Sequence, residues 1–246
     1  MKHERTFTII SNSQIARDIF EMKLEGITSD FTAPGQFVNI KLDGFFLRRP
    51  ISVCDTDNDT LTLIYKTVGE GTKMMSGLAS GTSLDMLTAL GNGFDISKIP
   101  GRAALIGGGV GCPPIYAAAK ALRKAGKDFT VILGFNSAED IFYADKFREL
   151  TGRLYITTAD GSAGIKGFVT DAINKPDLDP CYLIACGPMP MLRALARENI
   201  PGQVSLEERM GCGFGGCMGC TIETKSGPAR VCREGPVFDI SEVVWE

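Results

Sequence analysis

The chain has 246 residues, of which 44% are hydrophobic and 22% charged, and it carries a net charge of -3. This balance allows a large buried core and room for two domains with an appendage. It leaves no basic excess for nucleic acid and no run of about 20 apolar residues of the kind that spans a membrane. The single histidine, His3, excludes histidine triads and histidine-rich metal sites, and at the chain start it reads as a solvated surface residue.

The first hundred residues read as short strands. Phe20, Met22 and Leu24 alternate with charged residues, and Val38, Ile40 and Leu42 share one face of the next run. The stretches 61–66 and 82–87 repeat the habit, and Asp55 to Asp59 is a turn by composition. Period-two runs separated by Gly, Pro, Asp and Asn predict an antiparallel sheet closed into a small barrel. Two places break this grammar. Arg48-Arg49-Pro50-Ile51-Ser52 sets guanidinium groups beside a rigid proline, and a guanidinium fork matches a phosphate or pyrophosphate as readily as solvent. Gly69-Glu70-Gly71-Thr72 then leads into an expected helix, a second arrangement able to offer amide donors to an anion.

The pattern changes after Ile99-Pro100-Gly101. Apolar strands are expected at 103–106, 129–133, 153–158, 181–185 and 204–206, alternating with helices at 115–124, 138–150, 168–173 and 189–198. Alternation of this kind predicts a doubly wound parallel sheet with its ligand at the carboxyl ends of the strands. Gly107-Gly108-Gly109-Val110-Gly111 follows the first of these strands, where a dinucleotide fingerprint belongs, although Pro114 stands where a third glycine would be. Cys186-Gly187-Pro188 makes a second rigid turn facing the same crevice. Cys54, Cys112 and Cys181 read as small buried hydrophobes, whereas Cys186 is placed to meet the reacting part of a nicotinamide. The segment after the second strand of this sheet, 134–140, offers Glu139 and Asp140 but no Arg or Lys, which favours NAD over NADP.

The last forty residues carry Cys212, Cys217, Cys220 and Cys232, spaced C-x4-C-x2-C-x11-C, with five glycines between positions 207 and 220. Thiolates grouped in a glycine-rich loop suit a soft metal centre, and the opening spacing is that of a plant-type two-iron, two-sulfur site. Structural zinc and a pair of disulfides are the competing readings. Only Cys217 and Cys220 have the close spacing of a zinc knuckle. The N-terminus shows no apolar leader or cleavage site, so a reducing cytoplasmic setting is expected, and it disfavours disulfides. Met210, Phe214 and Met218 suit an apolar shield or contact surface as well as a small local core. Arg209 and Arg233 flank the ligands, either as compensating charges or as solvated ones.

Along nearly its whole length the chain resembles the ferredoxin–NADP reductase superfamily. Within it, the cysteine segment resembles the electron-transfer subunits of NAD-dependent (class 1B) dihydroorotate dehydrogenases. The superfamily's R-x-Y-S flavin motif is present as Arg49-Pro50-Ile51-Ser52, with Ile51 in place of the tyrosine that stacks on the ring. The resemblance implies a multidomain protein: an FAD-binding β-barrel over 1–99, a central α/β nicotinamide-binding domain over 100–206 and a small iron–sulfur domain over 207–246. It implies that Arg49 binds the flavin pyrophosphate, that Ser52 sits near the reactive flavin nitrogen, that Ile64, Tyr65 and Lys66 line the flavin, and that Gly71 and Thr72 bind its phosphate. Gly107, Gly108, Gly109 and Gly111, with Cys186, Gly187 and Pro188, match the nicotinamide motifs, and the four cysteines match the cluster ligands.

The same resemblance implies a function. A separate FMN-containing catalytic subunit oxidises dihydroorotate in pyrimidine biosynthesis. Its electrons pass singly through a 2Fe-2S cluster to FAD and leave as a pair to NAD+. A heterotetramer of two subunits of each kind is implied, with the cluster near the subunit interface. The isolated chain is then expected to oxidise NADH with an artificial acceptor and to lack dihydroorotate oxidation. Two other functions share these features: a sibling FAD and iron–sulfur NAD(P)H reductase subunit serving another redox partner, and a zinc-bearing adaptor on a nucleotide-binding scaffold.

Overall fold

The computed structural model describes residues 3–175 and 178–245. Met1 and Lys2, on which the reading of the N-terminus partly rests, lie outside the described residues. The first six strands are β1 (His3–Ala16), β2 (Ile19–Glu25), β3 (Phe37–Ile40), β4 (Arg49–Asp57), β5 (Thr60–Lys66) and β6 (Ser83–Leu90), with helix α1 (Glu70–Ser76) between the last two. They close into a barrel in the order β1-β2-β5-β4-β3-β6, all pairs antiparallel. Alternation explains the closure. Phe7, Ile9, Met22, Leu24, Val38, Ile40, Leu61, Leu63 and Met86 point to one interior and are almost wholly buried.

His3 departs from its expected surface role. It opens β1, pairs with Thr88, and holds Nε2 3.7 Å from the Asp30 carboxylate. Asp30 also accepts two bonds from Arg5, at 2.9 and 3.0 Å, and one from the Thr88 hydroxyl at 2.9 Å. These contacts lie beside the β1–β6 seam that closes the barrel. The charge pairing is long-range, so local periodicity gave no sign of it.

Beyond the barrel come β7 (Ala103–Gly108), α2 (Cys112–Lys124), β8 (Phe129–Phe135), α3 (Ala144–Leu150), β9 (Leu154–Thr158), β10 (Ile165–Lys166), α4 (Val169–Ile173), β11 (Tyr182–Cys186), α5 (Met189–Ala196) and β12 (Gly202–Ser205). The sheet order is β10-β9-β8-β7-β11-β12, parallel throughout, so the expected doubly wound core is present. The switch of direction falls between β7 and β11, which places the ligand crevice beside the two glycine turns.

The helix expected at 138–150 is shorter. A 3₁₀ turn covers Ala138–Asp140, Tyr143 takes a left-handed φ of 62°, and α3 begins only at Ala144. The Tyr143 hydroxyl donates to Glu21 of the barrel at 2.6 Å, and its ring packs edge-on to Tyr116. That tertiary anchor replaces the local helical hydrogen bonds.

The C-terminal segment holds the hairpin β13 (Thr221–Thr224) and β14 (Gly227–Arg230), then β15 (Val237–Asp239). β15 adds antiparallel to β12 at the edge of the central sheet. Between the hairpin and this return, the segment packs against the barrel. Phe37, 3% exposed, shares a core with Cys220, Val231 and Cys232, and burying a ring of that size contributes about 1.5–3 kcal/mol. Asn92, just past β6, donates to the carbonyls of Glu234 and Val237 at 2.7 and 3.1 Å, and its Oδ1 accepts from the Val237 amide at 3.1 Å. The cysteine segment is thus wedged between barrel and sheet rather than hung from the end of the chain.

Candidate functional site

Arg48 and Arg49, adjacent in sequence, have different surroundings. Arg48 is spent on structure: it reaches Asp85 at 2.9 Å and Glu4 at 3.4 Å. Arg49 turns the other way, its guanidinium 4.6 Å above the Phe45 ring and donating to the Leu47 carbonyl. It lies directly against Gly71, where an added Cβ would stand 2.7 Å from Arg49 Cζ. The two anion-binding elements read separately from the sequence therefore meet, with a guanidinium laid over the start of α1.

Thr72 shapes this place from below. Its hydroxyl accepts from the amides of Val68 and Gly69 at 2.9 and 3.2 Å and donates to the Gly69 carbonyl at 3.0 Å. The loop is held in shape before any ligand arrives, and the guanidinium fork with neighbouring amides is a chemically suitable seat for a pyrophosphate.

The remaining barrel residues divide by face. Pro50 and Ser52 stand opposite Asn39 and Phe37 in the β3–β4 ladder, while Ile51 packs against the barrel core. Tyr65 is 1% exposed and points into that core, where its hydroxyl donates to Asn12 Oδ1 at 2.9 Å. Burial pushes its phenol up to about 12, so it stays neutral. Tyr65 can offer a flavin its main chain but not its ring. Ile64 is buried between the barrel and α2, and Lys66 is exposed at the strand end.

The nicotinamide-type turns also meet. A Cβ on Gly111 would stand 2.7 Å from the amide nitrogen of Gly187, and one on Gly108 would stand 2.6 Å from Met191 Sδ and 3.0 Å from Pro188 Cδ. At Gly111 glycine is required by close approach of two backbones, and at Gly108 it leaves room for the Met191 and Pro188 side chains, so the two turns close on one another at the carboxyl ends of β7 and β11. Cys186 closes β11 at 2% exposure, and burial raises its thiol well above the usual range. Cys54 and Cys112 are buried as expected and likewise raised by desolvation. Cys181 differs: it is exposed, its Sγ 3.2 Å from the Arg102 carbonyl, and it lies one residue before β11 begins.

One charge near the nucleotide crevice was not legible locally. Arg17, at the β1–β2 turn, reaches across to Asp140 at 2.7 Å and Glu139 at 3.2 Å. An arginine is therefore present beside the segment after β8, but it is already paired with the two acids.

The four C-terminal thiols form two pairs. Cys212 accepts hydrogen bonds at Sγ from the amides of Phe214, Gly216 and Cys217, at 3.5, 3.2 and 3.3 Å. Positive φ at Gly213 and Gly215, 73° and 85°, turns the chain so that these amides converge. Desolvation raises the Cys212 thiol, but the amides of Phe214, Cys217 and Gly216 together with the Cys217 side chain outweigh it and bring the thiol down to about 6. Cys220 and Cys232 make the second pair, with the Cys232 amide donating to Cys220 Sγ at 3.5 Å. Both are buried, and Cys232 is pushed up to about 12 by burial first and then by the Cys220 thiol.

Among the described residues no three Cys, His, Asp or Glu side chains converge as they would on a single metal ion. Two thiol pairs, one half-exposed and one buried, fit a dinuclear cluster better than one tetrahedral zinc. Main-chain amides aimed at a sulfur favour its thiolate form, which is the form that ligates. Arg230 braces the loop, donating to the Gly215 carbonyl at 2.8 Å while Glu234 accepts from its guanidinium at 2.7 Å. Phe214 and Met218 are 43% and 62% exposed beside the half-exposed pair, whereas Met210 joins the local core.

A reductase-type barrel and nucleotide sheet with a thiol loop packed between them define a modular oxidoreductase that moves electrons between a pyridine nucleotide and an iron–sulfur centre. Comparison with known proteins narrows the class. Residues 207–244 match the iron–sulfur cluster binding domain of dihydroorotate dehydrogenase B, and residues 105–197 match the oxidoreductase NAD-binding domain. The dihydroorotate dehydrogenase B (NAD(+)) electron transfer subunit of Fusobacterium nucleatum is 43% identical over 97% of this chain and 98% of its own, and that of Shouchella clausii is 41% identical over 99% of both.

Among solved structures, the NADH-dependent reduced ferredoxin–NADP oxidoreductase, studied for flavin-based electron bifurcation, is 33% identical with a TM-score of 0.89, covering 97% of this chain and 90% of that one. Phthalate dioxygenase reductase shares the fold, at a TM-score of 0.66 and 17% identity over 90% of this chain and 87% of that one. The chain belongs to the family of dihydroorotate dehydrogenase B (NAD(+)) electron transfer subunits. It is an oxidoreductase subunit with an iron–sulfur and a pyridine-nucleotide domain.

Proposed function

We propose that the chain is the electron-transfer subunit of a dihydroorotate dehydrogenase, joining an FMN-containing catalytic partner to NAD+. The observation that carries this reading is the seat of the cysteine loop: two thiol pairs lie against β3, the strand hydrogen-bonded to the Arg49-Pro50-Ile51-Ser52 strand. When bound, a 2Fe-2S cluster supplies single-electron transfer and FAD couples it to the two-electron chemistry of NAD+.

The chain's own residues provide positions. Arg49, Gly71 and Thr72 hold the flavin pyrophosphate, Ser52 sits near the reactive flavin nitrogen, and Pro50, Ile51, Ile64, Tyr65 and Lys66 form its wall, Ile64 and Tyr65 through their main chains. Gly107, Gly108, Gly109, Gly111, Cys186, Gly187 and Pro188 shape the nicotinamide crevice. Cys212, Cys217, Cys220 and Cys232 ligate the cluster. The three functional units run over 1–99, 100–206 and 207–246. The already-paired Arg17 supports NAD rather than NADP, since a 2'-phosphate would compete with Asp140 and Glu139 for it.

The partner docks over the half-exposed thiol pair, where Phe214 and Met218 give an apolar rim. Two copies of each subunit form the assembly. Among the described residues no helix is long and apolar enough to cross a membrane, and a cytoplasmic location is proposed. The test is the purified chain: flavin and iron–sulfur absorption together, NADH oxidation with an artificial acceptor, and no dihydroorotate oxidation. A colourless protein would favour the zinc adaptor. A second reading, a reductase subunit serving another redox partner, draws on the likeness to the bifurcating NADH-dependent oxidoreductase. Co-purification from native extract with a protein that does not oxidise dihydroorotate would favour it.

A further inference from the structure

Asn39 is the one polar residue of β3, and it is 1% exposed. Its neighbours Val38 and Ile40 enter the barrel core. Phe37, on Asn39's side of the strand, packs instead with Cys220, Val231 and Cys232. Asn39 therefore faces the thiol segment. Its Nδ2 donates to the carbonyl of Cys212 at 3.1 Å.

The other end of this side chain has no such use. Asn39 Oδ1 is buried without a hydrogen-bond partner among the described residues. An apolar residue would avoid that cost, and the bond from Nδ2 to the Cys212 carbonyl is what the amide provides in exchange. Gly213 fits the same contact from the loop side. It has φ +73°, and an added Cβ would run into the Asn39 amide, 3.1 Å from Cγ.

The main chain of Asn39 is pinned as well. Arg48 donates to its carbonyl at 3.4 Å and to the Asp85 carboxylate at 2.9 Å, fixing β3 to β6. Across the ladder Asn39 stands opposite Pro50, on the strand that begins with Arg49. Adjacent strands are about 4.8 Å apart, so a single side chain bridges from the neighbour of the flavin-motif strand to the main chain of a thiol ligand.

We propose that Asn39 is a positioning residue. It fixes the Cys212 end of the cluster loop on the outer face of the flavin-binding strand pair, and so sets the separation across which cluster and flavin exchange electrons. The proposal rests on the assignment of Cys212 and Arg49 given under Proposed function. At the Cys212 end the loop's own hydrogen bonds shape the thiol site, and the amide of Asn39 reaching across from the barrel sets where that site sits.

The test uses the full chain loaded with FAD and cluster, with Asn39→Leu as the first variant and Asn39→Ser as the second. NADH-driven cluster reduction followed by stopped flow should slow severalfold in Asn39→Leu, because the rate of electron exchange falls with the separation of the two centres. The cluster's EPR spectrum should broaden or shift, while flavin content and melting temperature stay near those of the parent. Asn39→Ser, which keeps a donor on a shorter arm, should show the same changes to a smaller degree. Loss of iron with FAD and fold retained would also support the proposal, since it means that Cys212 is unseated.

An unchanged reduction rate and EPR spectrum in a fully loaded variant would overturn it. So would joint loss of FAD, iron and fold in both variants, which would make Asn39 an ordinary core residue. A parent chain with no iron–sulfur EPR signal would instead overturn the underlying assignment of the cysteines, before either variant is compared.

Discussion

The guanidinium of Arg49 occupies the space that a side chain on Gly71 would need, with Cζ 2.7 Å from the position of an added Cβ. This contact brings two separate sequence elements together, as the proposed pyrophosphate seat requires. Gly71→Ala should therefore displace Arg49 and lower FAD occupancy severalfold, while the barrel still folds. Flavin released on gentle heating or dialysis, against the parent, measures it. A variant with full flavin content would separate Arg49 from the pyrophosphate.

The two thiol pairs should respond differently to substitution. Serine at any of Cys212, Cys217, Cys220 or Cys232 should abolish the iron–sulfur spectrum and leave the flavin bands. Stability should diverge: Cys220→Ser and Cys232→Ser bury a hydroxyl at sites 1% and 0% exposed, and should cost about 1–3 kcal/mol more than Cys217→Ser. Apo-protein melting curves check the order.

Arg17 offers a specificity prediction. It is held by Asp140 and Glu139 at 2.7 and 3.2 Å beside the segment after β8. Removing both acids, as Glu139→Ala with Asp140→Ala, should free the guanidinium for a 2'-phosphate. The ratio of NADPH to NADH oxidation should then rise about tenfold, the worth of one charge-assisted contact. Steady-state rates with both nucleotides check this, and an unchanged ratio would place the adenosine elsewhere.

Much of this arrangement was legible in the sequence, and the part that was not shares one cause. Alternation at Phe20, Met22 and Leu24 and at Val38 and Ile40 predicted the barrel because each strand's interior face is set by neighbours two residues away. Strand–helix alternation after Pro100 predicted the parallel sheet for the same local reason. The spacing of Cys212, Cys217, Cys220 and Cys232 likewise announced its chemistry. Contacts between distant segments stayed hidden. Arg48 and Arg49 look equivalent until Asp85 claims the first. The expected helix at 138–150 is broken at Tyr143 by Glu21, more than a hundred residues earlier. Tyr65 carries a strand pattern that fits either face, and only the barrel's closure turns its ring inward. Edge strand β15 is three residues long, too short for periodicity to show.

Asp30 predicts a pH dependence. Its hydrogen bonds from Arg5 lower its carboxyl pKa, outweighing a desolvation that raises it, with help from Thr88. A carboxyl depressed in the folded state contributes stability that is fully present above its unfolded pKa and lost as pH falls through the folded one. The melting temperature should therefore drop on acidification below the ordinary carboxylate range, and Asp30→Asn should flatten part of that slope. At neutral pH the same variant should lose about 1–3 kcal/mol, because it weakens the charged partner of Arg5.

The most direct test of the account is dihydroorotate-dependent NADH formation by the purified chain mixed with a purified FMN-containing dihydroorotate dehydrogenase subunit. Neither protein alone should form NADH, the mixture should form it steadily, and that formation should be lost when Cys212→Ser replaces the parent chain. Dihydroorotate oxidation by this chain alone, or undiminished NADH formation with the Cys212→Ser variant, would contradict it.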